Sequence, residues 1–174
     1  ARVRLQLAFT LGGLSGDRQT SWLGTLARQD NDRWINSAIL HSYRGKWADL
    51  LLAVMHLDKI VMTDSEHEIV LAILEQIGAS KDVSDQASLG RLVQPDRWFG
   101  KYDKALAIGA GLRRAKKRFA GSNAKDAFEK LQAEALRDSV NVNAEDRRSA
   151  IALLAYGEYD HVDNTLFALL SPDH

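Results

Sequence analysis

The chain has no cysteine among its 174 residues. Disulfides, cysteine-ligated zinc, thiol catalysis and covalent haem attachment through cysteine are therefore excluded within it. Proline is nearly missing too, with only Pro95 and Pro172, so little interrupts helix along most of the length. An excess of one charge is also lacking. The 23 basic and 23 acidic residues cancel, and no global field draws the chain to nucleic acid, membrane or an acidic substrate. No long apolar run exists either. The longest, around Leu50 to Met55, falls far short of the roughly 18–20 residues that span a bilayer, so no membrane insertion is expected. What remains is 45 % apolar, too rich in hydrophobic residues for disorder. Its long runs of Ala, Leu, Arg, Glu, Gln and Lys favour an all-α chain.

An internal repeat organises these runs. Residues 2–12 line up with residues 146–156, and each block is followed, after a polar break, by a second apolar stretch at 22–27 and 165–170. Residues 34–40 stand in the register of residues 3–9 as a third copy. Repeated helix pairs that bury their apolar faces only against neighbours are the mark of a solenoid.

Read by helical spacing, the first helix covers residues 3–14, with Leu5, Leu7, Ala8, Leu11 and Leu14 on or near one face, and Gly12, Gly13 and Gly16 end it. Its partner starts after Thr20 or Ser21 and buries Trp22, Leu23, Leu26 and Ala27. The second pair is 32–43, with Asp32 as N-cap, and 46–57. Thr63 to Glu66 has the form of a capping box, or Asp64 caps directly; either opens a helix that ends at Gly78. Helices at 82–93, with Val83 among its inward residues, and at 102–119 flank an irregular stretch at 95–100. Gly109 and Gly111 imply that a neighbouring helix comes close, or that their own bends. Helices at 123–139, from an Asn143 cap to Tyr156, and at 160–170 complete ten helices in five antiparallel pairs. No domain linker is visible, so residues 1–174 read as a single domain, expected to be a piece of a larger protein.

The repeats then take on a likeness. Val3-Arg4 and Arg147-Arg148 open first helices, while Asp30 and Asp173 follow second helices, which resembles HEAT-type repeats. The stretch from Ala27 to Ser42, with Arg28, Asp30, Asp32, Trp34, Ala38 and Leu40 at fixed spacing, is similar to the helical segment of large membrane-bound dehydrogenase-type proteins of planctomycetes and verrucomicrobia. Residues 73–79, 107–114, 150–154 and 169–172 resemble that segment in the same order, so the likeness covers nearly the whole chain. It implies a propeller-like region before this one, a c-type cytochrome module after it, and an exported or periplasmic location. The resembling motifs are helix-packing motifs. The Cys-x-x-Cys-His of the cytochrome module is missing here, so electron transfer is carried to no residue.

Few residues carry sharper chemistry. The run Arg113-Arg114-Ala115-Lys116-Lys117-Arg118 is the one strong charge cluster. It could grip phosphates, or it could be the solvated last turns of a helix, where cations complement the dipole. Asp126, Glu129, Glu134 and Asp138 nearby in sequence favour the second reading. Trp22 and Trp34 are expected in the core, whereas Trp47 and Trp98, beside a tight turn and in the irregular stretch, are candidate exposed anchors. His41 and His56 with Asp49 and Asp58 lack the His-x-x-x-His or Glu-x-x-His spacing of a zinc site, and His67, His161 and His174 stand apart. No nucleophile elbow, P-loop or dinucleotide fingerprint is present, so no enzyme activity, cofactor, metal or small-molecule substrate is expected.

The fold expected is thus an α-α superhelix of about five antiparallel pairs, a HEAT- or armadillo-like solenoid. Its expected function is a non-catalytic scaffold or protein-interaction domain in a larger, exported, redox-associated protein. The second helices of the pairs would line a concave face, with Trp47, Trp98, Arg28, Arg113, Arg114 and Lys117 as candidate interaction residues. The alternative is a nucleic-acid-binding helical-repeat protein using residues 113–118.

Overall fold

The computed structural model describes residues 2–29, 31–55, 61–141 and 144–157. Among them lie nine α-helices, one 3₁₀ turn and no strand: α1 (Arg2–Leu11), α2 (Gly16–Ala27), α3 (Arg33–Ser42), α4 (Trp47–Val54), α5 (Asp64–Ala79), α6 (Val83–Leu92), α7 (Asp103–Arg114), the 3₁₀ turn (Phe119–Gly121), α8 (Lys125–Asn141) and α9 (Ala144–Leu154). The expected helix at 160–170 and the Asn143 cap lie outside the described residues, as do Asp30, His56, Asp58, His161 and Asp173.

Local chemistry explains most of the starts. The Asp32 carboxylate accepts from the backbone N–H of Trp34 and Ile35 and opens α3. Both arms of the Thr63–Glu66 capping box are formed at α5. Asp82 accepts from Ser84 and Asp85 N–H at α6, and these bonds, led by the Ser84 hydroxyl, hold its carboxyl below the ordinary range.

Helix α1 ends at Leu11 and not at Leu14, α4 ends at Val54 and not at 57, and two further boundaries differ from the sequence reading for a clear local reason. Helix α2 begins at Gly16, several residues before Thr20, because Gly16 takes a positive φ of 63° directly after an extended Ser15 and turns the chain into the helix. Helix α7 stops at Arg114 and does not run to Phe119. There Lys117 N–H reaches the Leu112 carbonyl and Lys116 N–H reaches the Arg113 carbonyl, the bonds of a Schellman ending.

The extensive helix contacts join neighbours, such as α4 with α5, α5 with α6 and α8 with α9, and next-but-one helices: α1 with α3, α2 with α4, α3 with α5, α4 with α6, α5 with α7, α6 with α8 and α7 with α9. The largest is α5 against α7. It is a backbone-to-backbone approach through two glycines. A Cβ on Gly78 would collide with the Ile108 carbonyl oxygen, and one on Gly111 with the Glu75 carbonyl oxygen. Of the two sequence options, the close approach is the one found. Gly109 does the same for a side chain, since its own Cβ would stand 3.0 Å from the Tyr156 ring.

The core combines Leu23, Ile39, Leu50, Leu51, Ile69, Ile73, Leu74, Ile77, Leu89, Ile108 and Leu112, all but closed to solvent. Polar side chains cross between helices inside it. Gln19 of α2, 1 % exposed, donates to the carbonyls of Gly12 and Ser42 and accepts from Arg44 N–H, so one amide closes the ends of α1 and α3. Asn31 and Asn36 both meet Ser65 at the start of α5. Asp85 of α6, also buried, accepts from Ala48 N–H at 2.9 Å and so caps α4 from another helix.

Several apolar expectations fail at the surface. Trp22 and Trp34 are 58 % and 65 % exposed, because the buried face of α2 is set by Gln19, Leu23, Leu26 and Ala27, and that of α3 by Ile35, Ala38 and Ile39. Val83, placed inward by spacing, is 83 % exposed in the first turn of α6. Leu7 and Leu14 are exposed as well, while Ala8 and Leu11 turn inward.

Candidate functional site: the basic corner between α7 and α9

The six interaction candidates do not converge on one surface. Trp47 opens α4 half-buried, its ring edge-on to Tyr43 with centroids 5.1 Å apart. Burial pushes the Tyr43 phenol up, against the hydrogen bond with Thr20, and its hydroxyl donates to the Lys46 carbonyl at 2.7 Å. Trp98 packs on the core with the Arg97 guanidinium 4.5 Å above its ring, and its buried indole N–H meets no acceptor among the described residues. Neither tryptophan is a fully exposed anchor.

The arginines and Lys117 are largely engaged within the chain. Arg28 donates to the Ala53 carbonyl at 2.6 Å and to the Thr25 hydroxyl, tying the end of α2 to α4. Arg114 holds α7 to α5 through Glu75 at 2.7 Å and Gln76 at 2.9 Å. Lys117 donates to the Ser80 carbonyl at 2.8 Å and so closes the C-terminal end of α5. Arg113 lies over the Tyr156 ring, 5.3 Å from its centroid.

Lys116 and Arg118 are left from the basic run. Both are exposed, and neither has an ion pair among the described residues. Because α7 ends at Arg114, they sit in the loop and not on a helical turn. Lys116 has φ 56°, the only positive φ of a non-glycine among the described residues. That conformation is favourable for glycine and strained for lysine.

These side chains border a cleft of about 620 Å³. Its described lining comprises Arg113, Lys116, Lys117 and Arg118, the aromatic rings of Phe119 and Tyr156, and small or apolar residues; no carboxylate is among them. Phe119 is held beneath by a parallel stack on Phe128, with centroids 3.8 Å apart. Two of the acids close in sequence are drawn to Lys101. Glu134 and Asp138 both bind Lys101 at 2.8 Å, and Glu129 pairs with Lys125. Lys101 and then Tyr102 hold the Asp138 carboxyl below the usual range; burial, with that same hydrogen bond, pushes Tyr102 up. Of the acids near in sequence, Glu134 and Asp138 are thus engaged by Lys101, while Glu129 lines the adjoining cavity that shares Arg118, Phe119 and Tyr156.

Sequence reasoning missed the exposure of Trp22 and Trp34, and it treated residues 113–118 as one block. The Lys116 conformation leaves no sequence signal, since its glycine-like position is occupied by lysine. The Nδ1–H of His41 donates to the Ser37 carbonyl, 2.8 Å away, and His67 stacks on Phe99. No group of three metal-ligating side chains is found among the described residues, and none of their helices is long and apolar enough to cross a membrane. Comparison with protein-family models, curated proteins and solved structures finds no match.

Proposed function

We propose that this chain is a non-catalytic helical-repeat scaffold, a HEAT-like superhelix of antiparallel pairs that holds a protein partner or adjoining domains of a larger chain. The observation that carries the reading is the pattern of helix contacts, in which every helix from α1 to α7 meets the next but one, and most, though not α3 with α4 or α7 with α8, also pack extensively on the next. Such a pattern is what stacked pairs require, because each pair buries its apolar face only against its neighbours. The polar ties of Gln19, Arg28, Asp85 and Arg114 between non-consecutive segments support it. The titratable groups with shifted pKa values serve caps and surface networks, which also fits a structural role.

In this reading α2, α4, α6 and α8 form the partner-facing row. The aromatic anchor on that row passes from Trp47 and Trp98 to Trp22 of α2, whose exposure suits an interface hot spot, while the exposed Trp34 of α3 is a second candidate beside the row. The placement in an exported, redox-associated protein is supported by the family likeness alone. Small-angle scattering tests the arrangement. A compact globule of 174 residues has a radius of gyration of about 16 Å; an open stack exceeds it clearly, and a value at 16 Å overturns the superhelix. A photo-reactive residue at position 22 or 34 in the full-length protein, in its source cell, tests the binding role. Cross-links to one partner support it, and none at either position removes the proposed anchors. The visible spectrum of that protein tests the redox placement: a haem band is expected, and its absence withdraws it.

The nucleic-acid alternative has fewer cations to draw on than the sequence suggests. Arg114 and Lys117 are held internally, and a duplex grip needs several phosphate contacts along a line.

A further inference from the structure

We infer that the cleft between the end of α7 and the end of α9 binds a small phosphorylated ligand, with Lys116 and Arg118 taking the phosphate. Four cations and no carboxylate border it among the described residues, although the chain as a whole is neutral. At about 620 Å³ it lies within the range of small-molecule sites, roughly 300–1,000 Å³.

The cations there divide by duty. Lys117 and Arg114 are fastened to Ser80 and to Glu75 with Gln76. Complementing the α7 dipole and closing α5 therefore accounts for two of the five. Lys116 and Arg118 flank Lys117 and share no such duty; their charges face solvent at the cleft. A phosphate there would gain charge-assisted hydrogen bonds from both, with the guanidinium of Arg118 able to bind two oxygens.

The backbone supplies the independent observation. The last turn of α7 demands a left-handed residue, the position where glycine is cheapest, and this chain puts lysine there. Strain kept at one residue beside a cleft is the pattern of a positioned functional group. Two cations two residues apart suit a compact anion of one or two phosphates better than a duplex. Phe119 and Tyr156 add apolar surface for whatever the phosphate is attached to.

Calorimetric titration of the protein with inorganic phosphate, pyrophosphate and ADP at 50 mM salt tests this. The wild type is expected to bind pyrophosphate or ADP, and tighter binding of ADP would show that the aromatic walls take part. K116G is the discriminating variant, because it removes the cation while keeping the backbone. About tenfold weaker binding is expected for K116G, and likewise for R118Q. Binding of K116G and R118Q at wild-type strength overturns the proposal, as does the lack of heat with all three anions. A 20-base-pair duplex that binds where the small anions do not overturns it in favour of the nucleic-acid reading.

Discussion

Lys116 is strained in a way that can be measured without any ligand. Its φ of 56° closes the Schellman ending of α7, and the left-handed conformation costs an L-residue about 1–2 kcal/mol. Replacement by glycine removes that cost and returns about 0.4–1 kcal/mol to the unfolded state as chain entropy. Loss of the charge has two further effects. The cation near the helix end is worth about 0.3–1 kcal/mol, while repulsion from Arg113, Lys117 and Arg118 falls by a few tenths. To cancel these charge effects, K116G should be compared with K116A, which loses the same ammonium but keeps the strained backbone. K116G should exceed K116A by about 0.5–1 kcal/mol, which for a chain of this size is a melting-temperature gap of about 1–4 °C. Thermal unfolding by circular dichroism at pH 7 in 0.15 M salt reads the gap directly. Urea midpoints with unchanged slopes confirm that it is stability. If K116A is as stable as K116G, the backbone strain is not there, and the argument built on it fails.

Three further outcomes follow from the packing. G111A forces a methyl against the Glu75 carbonyl of α5 and should destabilise by at least about 2 kcal/mol, whereas G121A, with nothing within 4 Å of its added Cβ, should stay within about 0.5 kcal/mol of wild type in urea titrations. W47A should lose about 2 kcal/mol by stripping the Tyr43 contact, and W22A and W34A should each change stability by less than about 0.5 kcal/mol; equal losses would place all three in the core. Asp138 has a lowered folded pKa, so its contribution is complete above the unfolded value of about 4 and vanishes as pH falls through the folded one. The stability gap between wild type and D138N should therefore be flat near neutrality and close below about pH 4, and a gap that persists at pH 2 would refute the assignment.

Helix existence was legible wherever apolar spacing met a capping residue, as at Asp32, Thr63 and Asp82. Boundaries failed where glycine and lysine exchanged their customary roles. Gly16 opens a helix instead of ending one, and Lys116 ends a helix where the run of good helix formers predicts continuation. Tryptophan burial was misread because hydrophobicity alone assigned the face. Gln19 lies in register with Leu23 and Leu26, and Asp85 with Leu89 and Leu92, so polar residues in an apolar stripe were the available signal for the true inward faces. The carboxylate-free lining of the cleft at Lys116 had no such signal among the described residues. Lys101 draws Glu134 and Asp138 to itself, a pairing across more than thirty residues of chain.

The contact of α5 with α7 also governs how the molecule opens. Gly78 and Gly111 bring main chain against main chain, with no side chain between them that could swing aside to admit water. The two helices are therefore expected to part together at that seam or stay shut. Amide hydrogens in their middle turns should exchange with solvent slowly and at one shared rate, while those of α1 and α9 exchange sooner and independently. The slowest-exchanging amides would then mark a hinge pin at mid-chain, about which the two ends of the protein can breathe without the middle giving way.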